Sequence, residues 1–294
     1  MVWAEGCWHV GMLPTVLLSV FVCQVYKAKT EKLRTYVVCA GLVYGRGESD
    51  DVFHSLFKDA WHCKALHQVG AGSNMVPTIH VADLSKVVTG VAKHAPEQRY
   101  VLAVDSGADT LKDIVGAIAT HVGTGDVEQV VADAFVLDSD VAADYLSVDL
   151  KLTSSVVPGL ELEWACEEGV VASMKTVAAE FRQHRNLLPV CVFIHGPPAS
   201  GTTAAASAIA KHFKLHMLTK DSVIASASGQ GDRLARQLIR AQAKGQIPTK
   251  LVLQAFRRKL NTPPCANQGY VLDAYPETER QARRLFKKLR SVDN

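Results

Sequence analysis

Short apolar runs alternate with amphipathic stretches along the first part of the chain, and this alternation predicts an α/β fold. The predicted strands are rich in β-branched and aromatic residues and lie at residues 36–40, 78–81 and 100–105. Residues 52–63 have apolar positions at helical spacing, and 110–121 starts with a threonine three residues before an aspartate, as a capped helix does. Strands that alternate with helices favour a mainly parallel sheet.

A second α/β pattern follows a polar and basic stretch that ends at Pro189. Val190–Ile194 is a short apolar run, which predicts a strand that is buried on both faces. A glycine-bounded loop and an alanine-rich helical run come next. We therefore predict a module boundary before Pro189, with an N-terminal segment 1–34 of uncertain structure, a first module 35–188 and a second module 189–294.

The loop after the predicted strand has the spacing of a phosphate-binding loop. Residues 196–203 read G-x-x-x-x-G-T-T, where P-loop proteins have G-x-x-x-x-G-K-[ST]. The glycines allow backbone N–H groups to point at phosphate oxygens, and the start of the next helix adds a favourable dipole. The candidate phosphate-binding residues are Gly196, Pro197, Pro198, Ala199, Ser200, Gly201, Thr202 and Thr203.

Two positions in this pattern decide what the loop can do. Thr203 stands where a hydroxyl ligates Mg²⁺, whereas Thr202 replaces the lysine that reaches the β- and γ-phosphates. An uncharged hydroxyl cannot neutralise charge that develops during transfer, and losing one such donor commonly lowers a rate by roughly 10²- to 10³-fold. We therefore expect the loop to bind phosphate better than it transfers it.

Asp273 is a second candidate ligand of Mg²⁺, because it ends the apolar run 270–272 at the carboxyl end of a predicted strand. The alternative role for this aspartate is to cap the last helix.

Composition and charge narrow the class of protein. The chain has 294 residues, of which 48% are hydrophobic and 21% are charged, as in a globular protein with a core. A net charge of +3 gives no reason to expect a nucleic-acid partner. The seven cysteines form no C-x-x-C pair, which favours reduced thiols and a cytoplasmic location.

Residues 10–26 form an uncharged, mostly apolar run that superficially resembles a signal or anchor segment. Glu5 stands where a signal peptide carries positive charge, and Pro14 interrupts the run. Its 17 residues are also at the lower limit for crossing a bilayer. We expect no membrane insertion. The segment is instead expected to be a buried helix or strand, or the start of an incomplete gene model.

The first module resembles the later half of the extended short-chain dehydrogenase or epimerase fold. The resemblance lies in Tyr-Val-Val-Cys-Ala-Gly-Leu-Val-Tyr-Gly at 36–45 and in Val-Pro-Thr-Ile-His-Val-Ala-Asp-Leu at 76–84. It implies a partial Rossmann-like module. A dinucleotide site needs G-x-G-x-x-G after the first strand, and nothing before Tyr36 supplies it. We therefore do not expect NAD as a cofactor, and an NAD-dependent epimerase or oxidoreductase is the alternative. We expect His80 to be a packed, hydrogen-bonded side chain.

The second module resembles the adenylate kinases. The loop is similar to the family's G-x-P-G-[SA]-G-K-x-T, and residues 269–282 are similar to its G-[FY]-[IL]-L-D-G-[FW]-P-R-T-x-x-Q-A. The resemblance implies a partial P-loop kinase module that uses ATP, Mg²⁺ and AMP. It also implies that Thr219 lies near the monophosphate, that Asp273 holds Mg²⁺ and that Gln281 contacts adenine.

The order of an epimerase-like module before a kinase module resembles the large axonemal adenylate kinases, which implies a cilium or flagellum as the location and axonemal proteins as partners. Several departures from the family remove cations. Glu277 replaces an arginine that holds the monophosphate, and Ile224 stands where a second phosphate-binding arginine is usual. The sequence also stops at Asn294, before the position of the family's arginine-bearing lid. Two interpretations follow: an incomplete record of an active nucleoside-monophosphate kinase, or a non-catalytic scaffold whose modules serve docking.

Overall fold

The computed structural model describes Gln24 and four longer parts of the chain, namely residues 34–46, 52–130, 149–197 and 199–287. Its contacts divide the chain into two compact units. The first comprises residues 1–121 with 125–184, and the second comprises residues 122–124 with 185–294. The apolar run at 10–26 falls outside the described residues apart from Gln24, and the module boundary before Pro189 stays a prediction. None of the described helices combines the length and the apolar character that crossing a bilayer requires.

The first unit contains parallel strand pairs. Its described strands are β1 (Val37–Ala40), β2 (Leu42–Tyr44), β3 (Leu66–Val69), β4 (Thr78–His80), β5 (Tyr100–Ala103) and β6 (Val127–Val130). They pair as β1 with β5, β2 with β4 and β3 with β6, and all three pairs are parallel. The predicted α/β class with parallel strands is therefore confirmed.

The described α-helices of this unit are α1 (Val52–Trp61), α2 (Val81–His94), α3 (Leu111–His121) and α4 (Met174–His184). Side chains cap the starts of α2 and α3. The predicted cap of α3 is confirmed, since Thr110 Oγ1 accepts a hydrogen bond from the Asp113 amide at 3.2 Å. Helix α2 is instead capped by His80, whose Nδ1 accepts from the Ala82 amide. The core of the first unit includes the stacked rings of Phe57 in α1 and Phe181 in α4, whose centroids are 5.1 Å apart.

The second unit has a three-stranded parallel sheet of β7 (Val190–Ile194), β8 (His216–Leu218) and β9 (Gly269–Asp273), in the order β7-β9-β8. Its helices are α5 (Thr202–Phe213), α6 (Lys220–Ser228), α7 (Arg233–Ala243), α8 (Thr249–Leu260), α9 (Pro263–Gln268) and α10 (Glu279–Phe286). The register aligns Ile194 with Asp273, so β7 and β9 end together. Ala274 then donates its N–H to the Ile194 carbonyl at 3.0 Å.

The prediction that β7 is buried on both faces is wrong. The central strand is β9, which is buried along its whole length, whereas β7 pairs with β9 alone among the described strands. Val192 and Ile194 pack toward the α5 side of the sheet, but the side chains of Val190 and Phe193 are each 48% exposed. An apolar run in the sequence indicates that a segment forms a strand of a sheet, but it does not indicate the position of that strand in the sheet.

Candidate functional site

The backbone of the phosphate-loop motif requires glycine at position 201, and at Gly196 a side chain would crowd its neighbours. Gly201 is the residue before α5 and has a φ of +81°, a left-handed conformation that side chains disfavour. A Cβ on Gly196 would lie 2.7 Å from Ser200 Oγ and 2.9 Å from Thr202 Cγ2. The loop therefore folds tightly against the start of α5, where the first N–H groups of a helix have no acceptor of their own.

The other predicted loop residues lie where a ligand can reach them. Pro197, Ala199, Ser200 and Thr203 are exposed, and Thr202 is half-buried; Pro198 falls outside the described residues. The turn is closed by the Ser200 amide, which donates to the Pro197 carbonyl at 3.2 Å. These side chains carry no formal charge, so attraction for a phosphate comes from the backbone and from the α5 dipole.

Thr203 and Asp273 meet at the carboxyl end of the sheet. Thr203 Oγ1 donates a hydrogen bond to Asp273 Oδ2 at 2.9 Å, although the two residues are 70 positions apart. Asp273 is only 7% exposed, and its Oδ1 has no hydrogen-bond partner. A buried carboxylate oxygen without a partner costs free energy, and a cation would supply the missing interaction. Hydroxyl and carboxylate oxygens are ligands that Mg²⁺ prefers, so the pair fits this ion.

The alternative role of Asp273 as a helix cap is contradicted. Helix α10 is capped by Thr278, whose Oγ1 accepts from the Gln281 amide at 3.3 Å. Asp273 is therefore not engaged at the start of that helix.

The residues predicted for the monophosphate side are engaged in local contacts. Thr219 caps α6, because its Oγ1 accepts from the Ser222 amide while Ser222 Oγ accepts from the Thr219 amide. Gln281 Oε1 accepts from the Glu277 amide at 2.8 Å. Within the described part of the chain, no hydrogen bond links either Thr219 or Gln281 to the phosphate loop.

Glu277 has a partner that the sequence reasoning missed. Lys220 Nζ donates to Glu277 Oε1 at 3.1 Å, and both side chains are about half exposed. The available signal was a lysine directly after Thr219, in a protein where a glutamate replaces a phosphate-binding arginine. Ile224 is 3% exposed and belongs to the apolar cluster around Phe256, so it serves the core and cannot hold a phosphate.

Known proteins resemble this chain across the arrangement just described. Residues 191–252 match the family described as Hydin adenylate kinase-like domain. Over 294 residues the chain is 33% identical to adenylate kinase 7 of Macaca fascicularis, covering 88% of this chain and 55% of that protein. This chain is a relative of adenylate kinase 7. The mouse adenylate kinase 7 is 32% identical over 292 residues, which cover 87% of this chain and 47% of that protein.

The predicted identification is thus confirmed, and the chain spans about half the length of the adenylate kinase 7 proteins that it matches. Human adenylate kinase 8 is 36% identical over 94 residues, which are 32% of this chain and 19% of that protein. Among solved structures, the human epimerase family protein SDR39U1 with NADPH has a TM-score of 0.43 at 17% identity, with 51% of this chain and 50% of that chain covered.

His80 in the first unit is packed and hydrogen-bonded, as predicted. It is 1% exposed, and its Nε2 lies 2.8 Å from Glu180 Oε2. Because Nδ1 accepts from the Ala82 amide, the proton lies on Nε2, which donates to Glu180. A Cβ on Gly45 would lie 2.2 Å from this Nε2, so glycine is required there.

His80, Asp83 and Cys166 place potential metal-ligand atoms within 4.8 Å of one another, but their contacts indicate a structural network. The Asp83 oxygens accept from the amides of Ala165 at 2.7 Å and of Cys166 at 2.9 Å. Burial raises the pKa of the Cys166 thiol, which disfavours the thiolate that binds metals. Asp83 therefore ties residues 165–166 to the start of α2.

Proposed function

We propose that this chain is an adenylate kinase-like protein that binds MgATP at the loop 196–203 and transfers its phosphoryl group poorly. The observation that carries the proposal is the Thr203–Asp273 pair, with its buried, unpartnered carboxylate oxygen beside a loop that requires glycine. Similarity to adenylate kinase 7 supports an adenine nucleotide as the ligand.

The residues that would hold Mg²⁺ are Thr203 and Asp273. When bound, Mg²⁺ neutralises charge on the β- and γ-phosphate oxygens. The protein adds the backbone N–H groups of residues 199–203 and the start of α5, which hold the phosphates in place. This half of the site needs glycine geometry and oxygen ligands, and both are present.

Poor phosphoryl transfer is expected because this chain has uncharged or acidic residues at positions where adenylate kinases have cations. Thr202 offers a hydroxyl in place of the lysine, and Ile224 is buried in the core. Glu277 repels a phosphate, and its only ion-pair partner within the described residues is Lys220. Phosphoryl transfer depends almost entirely on positioning and charge neutralisation, so replacing three cations lowers the rate far more than it weakens nucleotide binding.

A non-catalytic scaffold is the second candidate function. It is favoured by the same observation, since a phosphate loop without its cations can still order the module around a nucleotide. On this view the epimerase-like module 35–188 serves docking, with axonemal proteins of a cilium or flagellum, or other cytoplasmic proteins, as the partners. NAD-dependent chemistry is not proposed, because the chain offers no G-x-G-x-x-G motif.

The test measures binding and turnover on the purified chain. Isothermal titration with ATP, with and without Mg²⁺, should give Mg²⁺-dependent binding that Thr203→Val weakens. Thr249→Val is the matched control, because it makes the same change near the start of α8 and outside the loop. A coupled assay should detect no AMP-dependent ADP formation above background. Robust turnover contradicts the poor-transfer proposal, and absence of ATP binding contradicts the nucleotide-binding proposal.

A further inference from the structure

Helices α7 and α8 lie in the most one-sided charge segment of the second unit. From residue 233 to residue 272 the chain has eight Lys or Arg and no Asp or Glu, although the net charge of the whole chain is only +3. The two acids that flank this segment are Asp232 and Asp273, and Asp273 is buried. The positive charge is therefore concentrated in this segment, which creates a local potential that attracts anions.

A groove of about 940 Å³ runs between these two helices. The loop that joins them is short, and an ion pair links Arg258 near the end of α8 to Asp232 just before α7. The helices therefore run antiparallel, with the start of α7 beside the end of α8. All the residues that line the groove lie between Asp232 and Arg258, in these two helices and the segments next to them.

The lining of the groove combines cations with apolar side chains, and it also includes the acid Asp232, the partner of Arg258. Five cations line it, namely Arg233, Arg240, Lys244, Lys250 and Arg258. In the described part of the chain only Arg258 among these has a carboxylate partner, and the other four are exposed. Leu234, Ala241 and Leu251 also line the groove and are buried or half-buried, so they form its apolar floor.

We propose that this groove binds an acidic amphipathic helix of a partner protein. Arg233 and Arg258 mark one end of the groove, while Lys244 and Lys250 mark the other. At 1.5 Å per residue, the 11 residues of α7 extend about 16 Å, which matches three turns of a docked helix. The apolar stripe of that helix would pack on the floor, and its flanking carboxylates would meet the cations.

A nucleic acid fits the same charge less well. Sites for single-stranded nucleic acids combine a positive groove with aromatic side chains on which the bases stack. None of the residues that line this groove is aromatic, and leucines occupy its floor. A phosphate backbone would gain nothing from those leucines, whereas an amphipathic helix would bury them.

The test uses the full chain and a fluorescein-labelled synthetic helix with leucines at i, i+3, i+7 and i+10 and glutamates on both flanks. Fluorescence anisotropy should show saturable binding that weakens with added salt and is lost when glutamine replaces every glutamate. Arg240→Glu should weaken binding about tenfold. Arg236→Glu is the matched control, because Arg236 is an exposed arginine of α7 that does not line the groove, and it should change affinity less than about twofold.

Three outcomes would overturn the proposal. The first is no binding of the acidic helix by the unaltered chain, and the second is an equal loss for Arg240→Glu and Arg236→Glu. The third is a single-stranded RNA of similar charge that competes as strongly as the peptide. Circular dichroism of both variants checks that they remain folded, and Lys244→Glu provides a second groove variant that should reproduce the effect of Arg240→Glu.

Discussion

Two buried aspartates, one in each unit, show how a structural carboxylate differs from one that is ready for a ligand. Asp83 is 1% exposed, and both of its oxygens accept backbone N–H groups. Asp273 is 7% exposed, yet one oxygen is bonded to Thr203 and the other has no partner. Burial alone therefore does not identify a site; the number of satisfied oxygen atoms distinguishes the two residues.

Matched substitutions should separate the two carboxylates most clearly. Asp83→Asn places an amide N–H₂ against a backbone donor and leaves that donor buried without an acceptor, so the free energy of unfolding should fall by about 3 kcal/mol. Asp273→Asn keeps an oxygen for Thr203 and should cost less than about 1 kcal/mol. Urea unfolding of both variants measures the difference. Equal costs would show that the two carboxylates have the same structural role.

Binding of MgATP should reverse the order of stability of Asp83→Asn and Asp273→Asn. At a free MgATP concentration of 100 times its dissociation constant, a protein that binds it only when folded gains about 2.7 kcal/mol of stability. We expect this gain in the unaltered chain and in Asp83→Asn, and its loss in Asp273→Asn. Thermal unfolding with ATP and Mg²⁺, compared with ATP and EDTA, measures it. A gain that survives Asp273→Asn would place the metal ligand elsewhere.

A third acid, Asp105, should make stability depend on pH. Burial raises the pKa of Asp105 to about 7, against hydrogen bonds from Thr78 and the Gly107 amide that lower it. In the unfolded chain the pKa of an aspartate is about 3.9, so the folded state binds the proton more tightly. The contribution of Asp105 to stability is therefore present below pH 4 and is lost as pH rises toward 7, by at most about 1.4 kcal/mol per pH unit.

Urea unfolding of the unaltered chain and of Asp105→Asn between pH 5 and pH 8 isolates this contribution. The asparagine variant should gain stability relative to the unaltered chain as pH rises. A constant difference across that range would show that Asp105 does not titrate there.

The smallest expected effect is that of Thr202→Lys on turnover. Restoring the lysine adds one cation to the loop, but Glu277 and Ile224 remain on the monophosphate side. We therefore expect tighter ATP binding and no AMP-dependent ADP formation above background in a coupled assay. Substantial turnover by this single variant would mean that Glu277 and Ile224 obstruct transfer much less than their positions indicate.

The meeting of Thr203 with Asp273 could be predicted, because its signals are local. The spacing of the glycines indicates the backbone shape of the loop. An aspartate that ends a parallel strand lies at the carboxyl end of the sheet, where the loop also lies. The pairing of Lys220 with Glu277 could not, because the two residues are 57 positions apart and a lysine after Thr219 does not by itself identify its partner.

The order of the strands in the sheet of the second unit could not be predicted from the sequence either. The central strand β9 follows β7 by about 75 residues, and apolar runs of similar length predict both strands equally well. The cap of α2 was equally hidden, because histidine is not among the usual N-cap residues, yet His80 Nδ1 accepts from the Ala82 amide.

Among the described strands β7 pairs with β9 alone, and this bears on how long Thr203 and Asp273 stay together. Thr203 follows β7 and Asp273 ends β9. The β7–β9 ladder, the packing of Ala206 and Ala210 on Val271 and the hydrogen bond itself hold the pair in register. Edge strands open more readily than central strands, since they have one hydrogen-bonded neighbour and less covered apolar surface. Amide exchange should therefore be faster in β7 than in β9, and each opening of the ladder would separate the two oxygens. If the proposed function holds, nucleotide and metal affinity are coupled to local unfolding of β7.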